Sequence, residues 1–227
     1  MLVSVVIPAF DEAAAIGAVV REARDVAGVL EVIVVDDASR DDTAGVAAAA
    51  GARVLRLAHN LGKGAAVRRG VLAATGDVVV LLDGDGQDPP AEIPRLLAAI
   101  EAGADLAIGS RFLGRFEPGA ITAIDHAGNR VLSWAFGALF GVALTDTQAG
   151  FRAARRELLA SVLPRLRAEG FEIETELLAA ALAAGARVVE VPVTRRPRAH
   201  GVTRLRRVVD GLRILRCMLR CAVVTAR

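Results

Sequence analysis

Short apolar runs alternate with polar turns and amphipathic stretches through the first hundred residues. Residues 2–7, 31–35, 53–57 and 77–82 are rich in Val, Ile and Leu and have the length of buried strands. Between them, residues 13–26, 43–50 and 65–74 carry helical spacing, the second with Asp41 or Asp42 as its N-cap. A further helix is predicted over residues 91–102, after Pro89 and Pro90. Strand–helix alternation at so short a period implies an α/β fold: a mostly parallel, twisted sheet with helices on both faces. Ligands of such sheets bind outside the carboxyl ends of the strands. Pro8, Asp36, Asp37, Asp83 and Asp85 all fall at such ends.

The second half is less regular. The pattern predicts a strand over 105–109, a loop over 114–124, helices over 126–140, 155–163 and 173–184, and a strand over 187–193 ended by Pro192. Trp134, Phe136 and Phe140 are read as core. Residues 203–222 form a last helix, in which Leu205, Val208, Val209, Leu212, Leu215 and Leu219 share one face. Arg206, Arg213 and Arg220 line a strip beside it, Arg216 intrudes on the apolar face, and Ile214 lies off it. A basic amphipathic helix of this kind suits a membrane interface. The same pattern fits a helix packed on the domain with its charged side in water. No repeat or low-complexity linker divides the chain. The expectation is a single domain over residues 1–201 with a basic helix over 202–227.

Composition narrows the class. The chain has 227 residues, 54% of them hydrophobic, enough for a substantial core. Its 28 basic and 26 acidic residues nearly cancel, but ten arginines and one acid, Asp210, lie from Arg195 onward. A basic tail on an acidic body suggests an anionic partner for the tail; nucleic acid is not expected. No apolar run reaches the roughly 20 residues of a membrane span, and no secretory signal is visible. Cys217 and Cys221 give no disulfide framework. A cytoplasmic protein, peripheral on the inner face of the cell membrane, is therefore expected.

The chemistry concentrates at residues 83–87, the sequence DGDGQ. Gly84 and Gly86 let the backbone turn and approach a ligand closely. Asp83 and Asp85 repel each other at the end of a strand, and a divalent cation removes that cost. Hard oxygen ligands suit magnesium or manganese. A solvated turn explains the same composition less specifically. Lys63, the only lysine, sits in a glycine-bracketed turn suited to phosphate or to pinning the loop to Asp36 or Asp83; the full Walker pattern is missing. His126 reads as a helix residue, and His200 stands among arginines. A dinucleotide oxidoreductase is disfavoured because no GxGxxG follows the first strand. A phosphoacceptor signalling module would need about half this length.

Four blocks carry a resemblance: VIPAFDE at residues 6–12, VVDDASRDDT at 34–43, NLGKG at 60–64 and DGDGQ at 83–87. In this order they resemble family-2 inverting glycosyltransferases of the GT-A fold. GSRF at 109–112, Asn129-Arg130, QAGF at 148–151 and the basic stretch at 191–205 are similar to the polyprenyl-phosphate branch, which includes dolichyl-phosphate mannose synthase. The resemblance implies a single GT-A domain in which Pro8, Phe10 and Glu12 line the nucleotide pocket, with Asp37 near the base and Ser39 beside it. Lys63 and Gly84 fall to the same site. Asp83, Asp85 and Gln87 would hold Mg2+ or Mn2+ and the diphosphate. Arg111 and Arg130 would meet the acceptor phosphate, and Arg198 and Arg204 the donor diphosphate. The implied reaction moves a hexose from a UDP- or GDP-sugar to a dolichyl or undecaprenyl phosphate. An ionised phosphate attacks without a general base; for a hydroxyl acceptor, Asp146 is the first candidate base. The alternatives are the same donor chemistry on a soluble hydroxyl acceptor and a noncatalytic nucleotide-binding protein.

Overall fold

The computed structural model describes residues 1–201, 203 and 205–225, with Val224 and Thr225 described in backbone only. Arg204, one of the expected diphosphate contacts, lies outside the described residues. The strands are β1 (Val3–Ala9), β2 (Val29–Asp36), β3 (Arg53–Arg56), β4 (Val78–Leu81), β5 (Leu106–Phe116), β6 (Arg152–Arg155) and β7 (Val188–Arg195). They form one sheet in the order β3-β2-β1-β4-β6-β5-β7. Only β6 runs antiparallel to its neighbours. The helices are α1 (Ala13–Arg24), α2 (Thr43–Ala49), α3 (Lys63–Ala73), α4 (Ile93–Glu101), α5 (Ala123–Phe140), α6 (Arg156–Val162), α7 (Ile173–Ala183) and α8 (Arg207–Thr225).

Successive strand side chains point to opposite faces, and each face has its own core. Val6, Ile33, Val35, Val79 and Leu81 pack with residues of α3, α6, α7 and α8. Val5, Ile7, Val32, Val34, Val78 and Val80 pack with α1, α2 and α4. The central strands are thus apolar on both sides, which is why they read as continuous runs. The expected α/β sheet with helices on both faces is what forms.

Three local expectations are corrected. Of the segment read as a loop over 114–124, the first three residues continue β5, where Arg115 and Phe116 pair with Thr194 and Arg195 of β7 after a register shift; residues 117–122 are turn and bend, and α5 begins at Ala123. Strand β7 runs through Pro192 because it is the sheet edge, where a missing backbone donor is tolerated. Trp134 is 74% exposed, whereas Phe136 is fully buried and stacks on Phe140 at 4.3 Å.

Strand β6 was not visible as a strand: Arg-Ala-Ala-Arg carries no apolar alternation. Its first residue, Arg152, is 1% exposed. Its guanidinium donates to the carbonyls of Ala149 (2.7 Å), Glu174 (2.7 Å) and Thr147 (2.8 Å). Burial pushes its pKa down to about 10, against the opposing pull of Glu174 and Asp146. Arg152→Met would strand three buried carbonyls, a loss of about 3–5 kcal/mol. The expected result is a lower urea midpoint at unchanged m-value.

Candidate active site

The parallel ends of β1, β2 and β4 open onto a cavity of about 360 Å3. Pro8, Phe10 and Glu12 line it from the first strand, Asp37 from the second, and Asp83, Gly84 and Asp85 from the fourth. Lys63 at the start of α3 and Arg198 beyond β7 also line it. Nine of the residues expected at a nucleotide site are therefore brought together. Reversal of β6 sets Arg152 beside Leu81, so Gly150 approaches the same rim. A Cβ on Gly150 would lie 3.0 Å from both the Asp83 carboxylate and the Lys63 ammonium.

The loops after β1 and β2 are tied to each other. Asp11 and Ala38 adopt φ of 53° and 60°, a left-handed conformation that non-glycine residues seldom take. The Asp11 N–H donates to Ser39 Oγ (2.9 Å), the Arg40 N–H to Asp11 Oδ1 (2.7 Å), and the Glu12 N–H to Thr43 Oγ1 (2.8 Å). These cross-links hold Phe10 and Glu12 at the cavity and offset the backbone strain. Ser39 does not line the cavity; its hydroxyl is part of the tie. Asp42 is the N-cap of α2 but makes no side-chain cap bond; the Thr43 N–H donates instead to Asp41 Oδ1 (3.1 Å).

Asp37 organises the next loop. Its two oxygens accept the backbone N–H groups of Leu61 (2.7 Å) and Gly62 (2.8 Å). Burial raises its pKa, and those two donors pull against the rise. Gly62 has φ +88°, and a Cβ there would sit 2.3 Å from the Glu169 carbonyl oxygen. No side chain fits, so the chain can enter α3 with Lys63 directed at the site.

Lys63 bridges two carboxylates, with Nζ 2.7 Å from Asp83 Oδ1 and 2.6 Å from Glu174 Oε1. Burial alone would lower the lysine pKa; the two carboxylates outweigh it and hold the ammonium above the usual lysine range. Burial likewise opposes ionisation of Asp83, and Lys63 overrides it, so this carboxyl titrates below its ordinary value. Asp85 accepts the Gln87 N–H at Oδ1 (3.0 Å) and Arg198 Nη2 at Oδ2 (2.5 Å). The other arm of Arg198 reaches Glu12 Oε1 at 3.2 Å. The rim thus alternates carboxylates with two cations, Lys63 held between Asp83 and Glu174 and Arg198 between Asp85 and Glu12.

Gln87 departs from the ligand role expected of it. Its Oε1 accepts from Arg195 (2.9 Å), and its amide nitrogen donates to the Arg196 carbonyl (3.1 Å). It braces the end of β7 and does not line the cavity. Arg195 also binds Asp88 at 2.6 Å. Burial raises the Asp88 pKa, partly offset by Arg195. Arg195 and Glu174 pair with the rim residues Asp85 and Lys63, and Asp88 pairs with Arg195; the sequence reading names none of the three. Glu174 had no detectable signal, since nothing local in α7 marks it as the partner of Lys63.

Neither Arg111 nor Arg130 lines the cavity, although the Arg111 charge acts on Asp83 of its rim. Arg111 forms a fork with buried Asp146, Nε to Oδ2 and Nη2 to Oδ1, both 2.6 Å. Its backbone N–H adds a third bond to Asp146 (3.0 Å). Asp146, the candidate base for a hydroxyl acceptor, is therefore fully engaged. Arg130 is exposed on α5. His126 packs edge-on against Phe112 (4.9 Å) and Phe116 (5.7 Å), as a helix residue should. His200 lines a separate cavity of about 330 Å3 that reaches the other side of Asp85. Among the described residues, no group of three His, Cys, Asp or Glu side chains is placed to hold a metal by itself.

Paired acidic residues at the ends of parallel strands leave the reaction class open, and the family match decides it. The model of glycosyl transferase family 2 matches residues 4–163, from β1 to the end of α6. The chain belongs to this family. Glycosyltransferase AglJ of Haloferax volcanii is 35% identical over 211 residues, covering 92% of this chain and 68% of AglJ. The polyprenol monophosphomannose synthase of Mycolicibacterium smegmatis is 34% identical over 215 residues, 88% of this chain and 80% of that protein. Glucosyl-3-phosphoglycerate synthase of Mycobacterium tuberculosis, solved with Mn2+, UDP and glucosyl-3-phosphoglycerate, superposes with a TM-score of 0.75 at 28% identity. That match covers 98% of this chain and 80% of the synthase.

Proposed function

We propose that this family 2 glycosyltransferase moves a hexose from a UDP- or GDP-sugar to a polyprenyl phosphate at a membrane surface. The observation that carries this reading is the orientation of α8. The helix buries Ile214, Cys217 and Met218 against the domain and leaves Val208, Leu212, Leu219 and Val223 outside, with Leu212 63% exposed. Ile214, which lies off the leucine face, is the one that packs inward, while Val208, Leu212 and Leu219 of the leucine face are more than half exposed. Exposed Arg213 and Arg216 lie beside and within it, which suits an interface of anionic lipid. No helix of the described residues is long and apolar enough to cross a membrane. Attachment would therefore be peripheral.

The donor reading rests on the cavity and on the relatives. A magnesium or manganese ion that keeps water and substrate phosphates among its ligands needs only one or two carboxylates. Asp83 and Asp85, both on the cavity wall, fit that requirement, and the solved relative holds Mn2+ with UDP. A cation held there supplies Lewis-acid neutralisation of the leaving diphosphate. Arg198, paired with Asp85 and Glu12, is positioned to add a second positive charge as that diphosphate departs. Lys63 keeps Asp83 ionised, and Glu174 fixes Lys63. Pro8, Phe10 and Asp37 shape the nucleotide end.

A soluble acceptor is the second reading, favoured by the likeness to a synthase whose product is glucosyl-3-phosphoglycerate. The two separate in one assay. UDP- and GDP-sugars are offered with Mn2+, and the acceptor is either a polyprenyl phosphate or phosphoglyceric acid. The expected result is a charged lipid-linked sugar, abolished by EDTA and restored by Mn2+. Transfer to phosphoglyceric acid alone would reject the lipid acceptor. Nucleotide binding without turnover of any donor would leave the noncatalytic alternative.

A further inference from the structure

Behind Asp83 lies one carboxylate more than its ion pair requires. Lys63 and Asp83 line the main cavity and also a small second one of about 10 Å3, whereas Glu174 and Arg152 line only the small one. Glu174 therefore sits behind Lys63 and away from the wall that a nucleotide would touch. It is 7% exposed, and its Oε2 has no hydrogen-bond partner among the described residues. A Lys63–Asp83 pair alone is already neutral. Burying a further carboxylate beside it, with one oxygen unmatched, costs folding free energy.

The charges nearby give that carboxylate a purpose. Lys63 Nζ is 2.7 Å from Asp83 Oδ1, and Arg152, whose guanidinium donates to three backbone carbonyls, brings a second buried cation to the small cavity. Without Glu174, Asp83 would face two positive charges by itself, and a divalent cation approaching it would meet a positive surplus. Glu174 Oε1, 2.6 Å from Lys63 Nζ, restores the balance. Lys63 is hemmed in: the Phe171 ring centroid is 5.7 Å from Nζ, and a Cβ on Gly150 would stand 3.0 Å from it. Deprived of Glu174, the ammonium would stay on Asp83. Glu174 is fixed in turn, its carbonyl accepting Arg152 Nη1 at 2.7 Å. Resting on the reading above that Asp83 and Asp85 hold the donor's cation, we infer that Glu174 is a positioning residue. By engaging Lys63 from behind, it leaves Asp83 the charge needed to hold Mg2+ or Mn2+ on the nucleotide.

The test is titration of UDP into the full chain with and without Mn2+. The readout is the ratio of the two affinities, in which any direct contact of Lys63 with UDP cancels. Glu174→Gln keeps the shape and an oxygen for Lys63 but removes the charge. It is expected to cut the manganese-dependent gain by about tenfold or more, since charges a few ångströms apart interact strongly at the low effective dielectric of such a site. Adding Lys63→Met removes the cation that Glu174 balances, and folds often tolerate exchange of a buried ion pair for neutral side chains. The double variant should recover the gain to within about threefold of the wild type. A Glu174 that only stabilises the first turn of α7 would move the urea midpoint and leave the gain unchanged, which would overturn the proposal. A gain lost in Glu174→Gln and not recovered in the double variant would overturn it too. If Glu174→Gln is too unstable to assay, the double variant still decides, because a gain lost there rejects the charge balance. A wild-type chain with no manganese-dependent gain would remove the metal reading itself and this inference with it. Transfer to a soluble acceptor would reject the lipid reading and leave the role of Glu174 standing.

Discussion

Asp85→Asn is expected to lower kcat/KM for the nucleotide sugar by about 10²–10³-fold, the range for removing one preorganised electrostatic group from a transition state. The substitution is close to isosteric. Asn keeps an oxygen for the Gln87 N–H, which Asp85 now accepts at 3.0 Å, so the turn should retain its shape. What disappears is the charge. Asp85 is the carboxylate that draws Arg198 into the cavity, at 2.5 Å, and it also stands 3.9 Å from Arg195. Its neutralisation removes half of the proposed cation site and loosens Arg198 from the position where it would meet the leaving diphosphate. Titration of UDP with and without Mn2+ provides the independent readout. The wild-type chain should bind UDP more tightly with manganese, and the variant should not. A variant with the full manganese-dependent gain would remove Asp85 from the metal site.

The second large effect is expected at the membrane. Leu212→Glu combined with Leu219→Glu should reduce binding of the full chain to anionic phospholipid vesicles by about 100-fold or more. Each leucine transferred out of water contributes about 1.5–3 kcal/mol, and a factor of ten corresponds to about 1.4 kcal/mol. Both side chains are more than half exposed, at 63% and 59%, and neither belongs to the core formed by Ile214 and Met218. The urea midpoint should therefore stay near the wild-type value while sedimentation with vesicles is lost. Retained vesicle binding would reject the leucine face as the docking surface. A fall in the urea midpoint of the size expected for Arg152→Met would show instead that this face is covered by protein.

The two predictions draw on features of different legibility. The acidic rim was readable because each part of it is local. A buried parallel strand is a run of Val, Ile and Leu, and where the run breaks into Asp and Gly the chain has reached the strand end. Pro8, Asp37, Asp83 and Asp85 were found in this way, and the cavity gathers all four. The partners of those residues were not readable. Lys63 could be assigned to Asp36 or Asp83 from its loop, and the structure gives it Asp83 together with Glu174. Gln87 has the right spacing to join the two aspartates, yet Arg195 and the carbonyl of Arg196 claim its side chain.

By itself, the amino-acid sequence determined the order of strands and helices through α4, the two-sided apolar character of the central strands, and the rim on which the chemistry lies. These follow from side-chain periodicity and from backbone preferences at Gly, Pro and Asp, which act over a few residues. Tertiary structure decided what depends on a neighbour from elsewhere in the chain. Strand β6 exists because β4 and β5 offer it hydrogen bonds on both sides, although Arg-Ala-Ala-Arg has no strand signal of its own. Arg111 pairs with Asp146, a partner 35 residues away, and Trp134 is left outside while Phe136 fills the core. In α8 the sequence offers a broad leucine face and a narrower one built on Ile214, Cys217 and Met218. The narrower one is buried, because Ile214 and Met218 join the core that α7 completes and Arg220 is bound there by Glu176. A helical pattern specifies which residues share a side; the surface it meets selects the side that is covered.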